Sequence, residues 1–389
     1  MRIHEYQAKS ILRSYGVPTP RGGVAFTPDE AVSVAERLGG SFWVIKAQIH
    51  AGDRARGGGV ITAHSLDEVR KAAEGMIGMR LITPQTPTEG NTVMRVYVEE
   101  GVEISRELYF ALLVDPLTLG ASLIAAPERG VTLEEIATRA PDRILRAAID
   151  PAVGLMPFQV RRICYSLGLD TQQMRKAVDI IGAVYKAYVD LDALNIEINP
   201  MVVTGRGELM VLDARMRFDD NALFRQKGIA ALRDRSEENT FERQASDAGL
   251  TYIRLTGNVG CLANGAGLAM ATVDAIRNAG GNPANFLDIG RAPSRERMAE
   301  ALRILEADPN VDCVCAILQG GLARTETVAE NLTSIIRERL YTLPIVVRLA
   351  GENQNAGEAI LHDYGPAIHV AGTIGEAASL AANIAREHA

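Results

Sequence analysis

Residues 42–60 read FWVIKAQIHAGDRARGGGV, and this stretch decides the fold of the first part of the chain. The run 43–45 is predicted to form a β-strand, because aromatic and β-branched side chains suit a pleated surface. The strand leads into Lys46 and a loop that holds two arginines and three consecutive glycines. Glycines leave the backbone free to turn its N–H groups toward an anion. The pattern indicates a polyphosphate site or, as the plainer alternative, a surface hairpin with solvated basic residues.

The composition limits the classes of protein to which the chain can belong. Its 389 residues exceed one ordinary hydrophobic core, so two or three domains are expected. The net charge of −7 argues against nucleic acid or an anionic membrane as a partner. No apolar run has the length of a membrane span, and the first residues lack the pattern of a signal peptide. Cysteine usage fits the cytoplasm, and Cys313 and Cys315 are expected to pack in a core rather than bind a metal.

Apolar periodicity predicts mixed helices and strands in the first part of the chain. Ile3, Tyr6, Ala8, Ile11 and Leu12 can share one face of an N-terminal helix. Further on, strands are expected at 92–99, 106–115 and 121–126, helices at 133–139, 159–167 and 171–190, and a hairpin at 194–203 and 208–213. The charge-rich stretch 225–243 is interpreted as a linker, which gives two domains, 1–236 and 237–389.

From residue 250 onward, short apolar runs alternate regularly with helical segments. This alternation predicts a doubly wound parallel sheet with helices on both faces. The Gly-rich segments 260–270 and 320–325 are each interpreted as a turn that runs into a helix. Helix N-termini at the carboxyl ends of parallel strands can hold a phosphate, although tight packing of strand against helix is the alternative for each segment.

Two acidic groups in the first domain suggest ligand chemistry. Glu197 and Asn199 are two residues apart on a predicted strand, so they face the same side, and Asp213 is placed at the end of the partner strand. Oxygen ligands on neighbouring strand ends suit Mg²⁺, whereas a polar strand face in water is the alternative. Glu99 and Glu107 flank a turn, where an acid can bind a ribose hydroxyl or an adenine amino group, although a solvated loop explains them as well.

Taken together, the motifs resemble the β subunit of succinate–CoA ligase and its relatives over essentially the whole chain. The segments that carry the resemblance are HEYQAK at 4–9, KAQIHAG at 46–52, IEINP at 196–200, DDNALFR at 219–225, NGAG at 264–267 and PANFLD at 283–288. The resemblance implies an α/β protein with an N-terminal ATP-grasp domain followed by a flavodoxin-like CoA-ligase domain.

The resemblance also implies a reaction and a set of site residues. In the family, a nucleoside triphosphate phosphorylates a histidine, the phosphoryl group passes to a carboxylic acid, and CoA displaces it. The implied cofactor is Mg²⁺, and ATP is the expected nucleotide with GTP as the alternative. The residues that correspond to family positions are Lys46, Asp53, Arg54, Ala55, Glu99, Val102 and Glu107 for the nucleotide, Asn199 and Asp213 for Mg²⁺, and Asn264, Gly321, Leu322 and Ala323 for the acid.

By the same resemblance, the phosphorylated histidine belongs to another subunit. The chain has six histidines, and none lies in the glycine- and alanine-rich loop that carries this residue in the α subunit. An α-type (alpha) partner is therefore expected, in an αβ or α2β2 assembly, and no catalytic residue is assigned to this chain alone.

The chain departs from the family pattern near both sites. Asp53, Ala55 and Arg56 stand in a loop that is usually richer in glycine, which leaves the choice between adenine and guanine open. Arg291 stands where the family normally has a glycine, and it adds a donor suited to a bidentate anion. Ala323 is smaller than the usual residue. Malate or another substituted acid, such as a sulfonated one, is therefore an alternative to succinate, and a non-catalytic nucleotide-binding regulator is the alternative from another class.

Overall fold

A computed structural model describes residues 1–86, 89–115, 120–127, 138–321, 324–339, 341–365 and 367–387. The chain divides into two compact units, Met1–Glu237 and Glu238–Ala389. We call them the first unit and the second unit. The expected helix at 133–139 falls mostly outside the described residues.

The first unit begins with a helix and a four-stranded antiparallel sheet. Its elements are α1 (Glu5–Ser14), β1 (Gly22–Ala25), α2 (Pro28–Leu38), β2 (Trp43–Ala47), β3 (Val60–Ala63), α3 (Leu66–Met76), the short pair β4 (Arg80–Leu81) and β5 (Asn91–Thr92), and β6 (Val96–Glu100). The strand order is β1-β6-β2-β3. Thr27 and Ser65 begin α2 and α3 by accepting hydrogen bonds from the N–H groups of Glu30 and Glu68, as expected for capping hydroxyls.

A second sheet of six strands completes the first unit. Its elements are β7 (Ile104–Asp115), β8 (Gly120–Ala126), β9 (Leu145–Ile149), α4 (Pro157–Ser166), α5 (Thr171–Asp190), β10 (Ala193–Thr204), β11 (Leu209–Val211), β12 (Ala214–Phe218) and α6 (Lys227–Ala230), with 3-10 turns at Pro141–Arg143 and Asp220–Ala222. The order is β11-β10-β7-β8-β9, and β12 pairs with the first half of β10. Helices α1, α4 and α5 contribute buried residues to the core of this sheet.

Three expectations for the first unit were wrong in detail. Residues 92–99 do not form one strand, because β5 pairs with β4 whereas β6 pairs with β1 and β2. Asp213 does not end a strand; it lies in the short connection between β11 and β12. The buried face of α1 holds Glu5, Ala8, Lys9 and Leu12, so two charged residues lie where an apolar stripe was expected.

The second unit is a mixed sheet covered by helices. Its elements are α7 (Thr240–Asp247), β13 (Thr251–Arg254), β14 (Val259–Ala263), α8 (Ala266–Asn278), β15 (Asn285–Asp288), α9 (Arg295–Ala307), β16 (Cys313–Gln319), α10 (Thr325–Arg339), β17 (Ile345–Ala350), α11 (Gln354–Tyr364), β18 (Ile368–Val370) and α12 (Ile374–Glu387). The strand order is β13-β15-β14-β16-β17-β18.

Strands β14 to β18 are parallel in the order that defines a flavodoxin-like sheet, so this expectation is confirmed. Two details were wrong. Edge strand β13 is antiparallel to β15. Residues 260–263, expected in a glycine-rich turn, belong to the central strand β14, whose residues are all buried. Small and apolar side chains suit a strand that is covered on both faces. Cys313 and Cys315 are free and buried in the core beside Cys261, as expected for packing residues.

Candidate functional site

Lys46 lies at the heart of a buried charge cluster in the first unit. It is on β2, opposite Tyr97 and diagonal to Glu99 on β6, and only 7% of its surface is exposed. Its ammonium nitrogen lies 3.0 Å from Glu5 Oε1 and 2.5 Å from Glu99 Oε1, and it donates to the Leu212 carbonyl oxygen at 2.7 Å. Burial alone would lower the pKa of Lys46, but the surrounding carboxylates outweigh burial and raise it. Lys46 is therefore a permanent buried cation.

The loop after β2 brings a second cation to the same place. Arg54 is buried, and its guanidinium lies 2.6 Å from Glu5 Oε2 and 2.8 Å from Asp213 Oδ2. It also donates to the Ala47 carbonyl oxygen at 2.8 Å. Strands β2 and β3 do form an antiparallel hairpin, but Lys46 and Arg54 are not solvated as the plainer alternative supposed.

The other loop residues are more open. Asp53 is half-buried and adopts a left-handed backbone conformation with φ of 55°. Ala55 and Arg56 are exposed. The loop thus presents one buried arginine toward the cluster, while its tip faces solvent.

Glu5 and Lys9 on α1 complete the cluster, and neither was among the predicted site residues. Lys9 Nζ lies 2.9 Å from Glu5 Oε1 and 2.5 Å from Glu99 Oε2. Burial alone would raise the pKa of Glu5, but Lys46, Lys9 and Arg54 hold it well below its ordinary value. Their spacing of four residues places them on one face of a helix, but the sequence alone does not show that this face is buried.

Asn199 and Asp213 are brought together where β10 changes partner from β12 to β11. The Asn199 N–H donates to the Asp213 carbonyl oxygen at 3.2 Å, and the Leu212 N–H donates to the Pro200 carbonyl oxygen at 3.0 Å. Asp213 Oδ2 accepts from Arg54, whereas Oδ1 is buried without a hydrogen-bond partner. A buried carboxylate oxygen without a hydrogen-bond partner fits a hard cation such as Mg²⁺, and Asn199 has an amide oxygen of the kind that such a cation binds.

Within the part of the chain that the structure describes, no group of three or more histidine, cysteine or acidic residues could hold a metal ion. A Mg²⁺ ion at Asn199 and Asp213 would therefore take its remaining ligands from water and phosphate, as this ion commonly does.

The remaining predicted nucleotide residues lie on or after β6. Glu99 is buried in the cluster. Val102 is half-buried in the connection from β6 to β7, and Glu107 is half-buried on β7, opposite Val202 of β10. The structure brings Glu99 directly to Lys46.

A cleft with a volume of about 180 Å³ opens beside the cluster. The charged residues that line it are Glu5, Glu197, Arg2, Arg54, Arg215 and Arg217. Four positive charges face two negative ones, so the lining favours an anion. Gly52 leaves room in this wall for the Arg215 guanidinium, since a Cβ atom there would lie 2.3 Å from one of its nitrogens and the arginine would have to shift.

Two histidines support the wall of the cleft. His4 Nε2 lies 2.8 Å from Asp234 Oδ2, and the rings of His4 and His50 are 4.4 Å apart. The backbone N–H of His50 donates to Glu237 Oε2 at 3.1 Å. Burial, with a smaller contribution from His4, lowers the pKa of His50 to about 3. Both rings are therefore neutral at physiological pH, and residues near the end of the first unit are held against the cleft.

Comparisons with known proteins show the family of the chain. A profile of the ATP-grasp domain matches residues 2–203, and a profile of the CoA-ligase domain matches residues 262–382. The succinate–CoA ligase (ADP-forming) subunit beta of Nautilia profundicola is 48% identical over 93% of each chain. The subunit of the same name from Paramagnetospirillum magneticum is 46% identical over the full length of both chains. The chain belongs to the succinate–CoA ligase β-subunit family.

A solved structure supports the fold of this family member. ATP citrate lyase from Methanothrix soehngenii, in complex with citrate and coenzyme A, matches with a TM-score of 0.69 over 98% of each chain at 18% identity. The expected ATP-grasp and CoA-ligase architecture is thus confirmed, and we call the first unit the ATP-grasp unit and the second the CoA-ligase unit. Within the described residues, no helix is both long and apolar enough to cross a membrane.

In the CoA-ligase unit of this family member, Asn264 lies at the carboxyl end of β14, beside the end of β16. The order of the strands reverses between these two strands, and ligands of doubly wound sheets bind at such a point. The Asn264 side chain donates to the Gln319 carbonyl oxygen at 2.7 Å and accepts from the Gln319 N–H at 2.8 Å. Its amide is therefore largely engaged in joining the two strand ends.

The other predicted acid-binding residues are more open. Gly321 is exposed after β16, and Arg291 is exposed in the loop after β15. Leu322 and Ala323 lie outside the described residues. Asn264 and Gly321 thus follow neighbouring strands, but no described contact joins Arg291 to either of them.

Proposed function

We propose that this chain is the nucleotide-binding β subunit of an NDP-forming carboxylic acid–CoA ligase. It would act with ATP, a small dicarboxylate-type acid and CoA, and would yield ADP, phosphate and an acyl-CoA. The observation that carries the proposal is the meeting of two buried cations, Lys46 and Arg54, with the oxygen pair of Asn199 and Asp213. Phosphoryl transfer depends on such positioning and charge stabilisation.

Lys46 and Arg54 would bind the phosphates of the nucleotide from fixed positions. Both side chains are buried and held by carboxylates, so their positive charges are already in place when negative charge develops on the transferred group. Asp53 and Ala55 would lie in the loop above the phosphates, and Glu99, Val102 and Glu107 would line the pocket of the nucleoside. The basic cleft beside the cluster supports an anionic ligand, but it does not distinguish ATP from GTP.

Asn199 and Asp213 would hold Mg²⁺, and the free Asp213 Oδ1 supports this assignment. When bound, the ion would neutralise charge on the phosphate oxygens. Arg54 already bonds the other oxygen of Asp213, so the side chain is oriented before any ligand arrives.

A partner subunit would supply the phosphorylated histidine. His4 and His50 lie near the charge cluster, and both pack into the protein with neutral rings. The ring nitrogens that lack a hydrogen-bond partner, Nδ1 of His4 and Nε2 of His50, are buried. This supports an α-type subunit as the phosphoryl acceptor, in an αβ or α2β2 complex.

Asn264, Gly321, Leu322 and Ala323 would contribute to the acid site in the CoA-ligase unit. Succinate is the first candidate because the relatives carry its name. Arg291 would add a donor for the acid, and this addition keeps malate or a sulfonated acid as the alternative.

Co-expression with the neighbouring α-type subunit tests the proposal. The purified complex is incubated with a panel of acids and either ATP or GTP, and CoA consumption is followed, while light scattering measures the mass of the complex. We expect acid-dependent CoA consumption with at least one acid of the panel. Nucleotide binding without CoA consumption or histidine phosphorylation would contradict the proposal and favour the regulator.

A further inference from the structure

We propose that Glu5 is a positioning residue that sets the spacing of Lys46 and Arg54, a role that rests on the proposed function. Its two carboxylate oxygens bind different cations. Oε1 lies 3.0 Å from Lys46 Nζ, and Oε2 lies 2.6 Å from the Arg54 guanidinium. One rigid carboxylate therefore joins the strand that carries Lys46 to the loop that carries Arg54.

The environment of Glu5 fixes its own position. It is buried on α1, where Oε1 also accepts from Lys9 at 2.9 Å and Oε2 accepts from Gln48 at 3.3 Å. The Gln48 side chain in turn accepts from the Tyr6 N–H at 3.2 Å. Since both oxygens have two partners, the carboxylate is held in one orientation.

The contacts of Lys46 explain why its position depends on Glu5. An ammonium group has three donors, and here they meet Glu5, Glu99 and the Leu212 carbonyl oxygen. A phosphate oxygen must replace one of these acceptors. The acceptors that stay in place then determine where the ammonium points, and Glu5 is the one that is shared with Arg54.

Charge balance alone is the competing explanation. The cluster holds three cations, Lys9, Lys46 and Arg54, and three carboxylates, Glu5, Glu99 and Asp213. A neutral residue at position 5 leaves one excess positive charge, which could disturb the site without any role in spacing. Lys9 offers the means to separate the two explanations, because it contacts the same carboxylates and no loop residue in the described contacts.

The experiment compares Glu5→Gln with the double variant Glu5→Gln/Lys9→Met, each in complex with the α-type partner. The double variant restores the balance of charge without restoring the link between Lys46 and Arg54. Transfer of the γ-phosphoryl group to the partner's histidine is followed over time at several ATP concentrations. Asp115→Asn is the matched control, because Asp115 is a buried carboxylate of the same unit, bonded to Ser122 and Arg146 rather than to the cluster.

We expect Glu5→Gln and the double variant both to slow the transfer about 10- to 100-fold, as small misplacements of catalytic groups do. Half-saturation by ATP should change less than about threefold, because both cations remain. The double variant should recover the thermal stability that Glu5→Gln loses, as seen by Trp43 fluorescence.

Recovery of the transfer rate in the double variant would overturn the inference in favour of charge balance. An unchanged rate in Glu5→Gln would overturn it as well. If the unaltered complex does not label the partner at all, the proposed function fails and the inference falls with it. Normal labelling by the unaltered complex and by Glu5→Gln refutes the inference alone.

Discussion

The ATP-grasp unit and the CoA-ligase unit place their candidate site residues in opposite environments. In the ATP-grasp unit, Lys46, Arg54, Glu5 and Glu99 are buried, and each charge is paired within 3.0 Å. In the CoA-ligase unit, Asn264 is the one buried residue among the described candidates, and its amide binds the backbone of Gln319.

One candidate site is thus built from buried, paired charges, and the other largely from exposed loop residues. Buried charges that are held by other charges resist change, because removing one partner leaves another unpaired in a medium of low dielectric constant. Exposed residues on loops after parallel strands are changed at little cost to folding. The ATP-grasp unit should therefore tolerate little substitution at its site, whereas residues such as Arg291 can vary with the acid that is bound.

The replacement of Lys46 should produce the largest effect. Lys46→Ala removes a fixed cation from beside two buried carboxylates, Glu5 and Glu99, so nucleotide-dependent labelling of the partner's histidine should fall about 100- to 1,000-fold. Labelling is measured with ATP that carries a radioactive γ-phosphate. Lys186→Ala, in an exposed pair with Asp190, is the control and should label normally. Undiminished labelling by Lys46→Ala would remove this residue from the site.

A change at the proposed Mg²⁺ ligand should come next. Asp213→Asn should raise the Mg²⁺ concentration for half-maximal labelling about 10- to 100-fold, a range typical of a disturbed metal site. A titration of Mg²⁺ at saturating ATP measures the shift. Asp190→Asn, an exposed acid of the same unit, should leave the titration unchanged. The metal assignment would be wrong if Asp213→Asn lowered only the maximal rate.

The neighbouring rings of His4 and His50 predict that the stability of the ATP-grasp unit depends on pH. Folding lowers the pKa of His50 from 6.5 to about 3. The unfolded chain therefore takes up the proton first, and stability is lost as the pH falls below 6.5 until it nears 3. Between about pH 7 and pH 5, protonation of His50 should lower the unfolding free energy by about 1–2 kcal/mol, and His50→Gln should abolish this contribution.

Trp43 makes this prediction measurable in one unit. It is the one tryptophan of the chain and lies buried in β2, so its fluorescence reports unfolding of the ATP-grasp unit. The charged groups near the rings of His4 and His50 are Asp234, Glu237, Arg2, Arg54 and Arg95. His64→Gln changes an exposed histidine that is stacked on Phe42. This control variant should show the same decrease in unfolding free energy with falling pH as the unaltered protein. If His50→Gln left the pH dependence of the unfolding free energy unchanged, His50 would not be its source.

The smallest effect is expected in the CoA-ligase unit. Arg291→Gly with Ala292→Gly should lower kcat/KM for the native acid about 2- to 5-fold, because an exposed arginine–carboxylate contact contributes about 1 kcal/mol or less. The ATP-dependent labelling rate serves as the internal control and should not change. If the glycine variant used the different acids with unchanged relative activities, Arg291 would not belong to the acid pocket. If the variant lost labelling, the change would not be limited to acid binding, and the two units would not differ as described.

The sequence predicted the elements that local chemistry determines. The strand at Trp43 and the alternation after residue 250 follow from side-chain pattern alone. The pattern failed where long-range pairing decides. Strand β14 was missed because Gly260 resembles a turn residue, although small residues suit a strand buried on both faces.

The candidate site could be predicted only in part from the sequence, because long-range contacts also determine it. Lys46 and Arg54 stand out because charged residues follow an apolar strand. Glu5 and Lys9 were hidden, since charges on an amphipathic helix are normally assigned to its solvated face. Their burial becomes evident only when α1 is placed against β2 and β6.

The central claim is that Lys46 and Arg54 hold the nucleotide phosphates. A crystal structure of the complex with Mg²⁺ and a non-hydrolysable ATP analogue tests it most directly. The account predicts phosphate oxygens in hydrogen-bond contact with Lys46 Nζ and the Arg54 guanidinium, with the metal on Asn199 and Asp213. An analogue whose phosphates lie away from both cations, while Lys46 keeps Glu5, Glu99 and Leu212 as its partners, would contradict it.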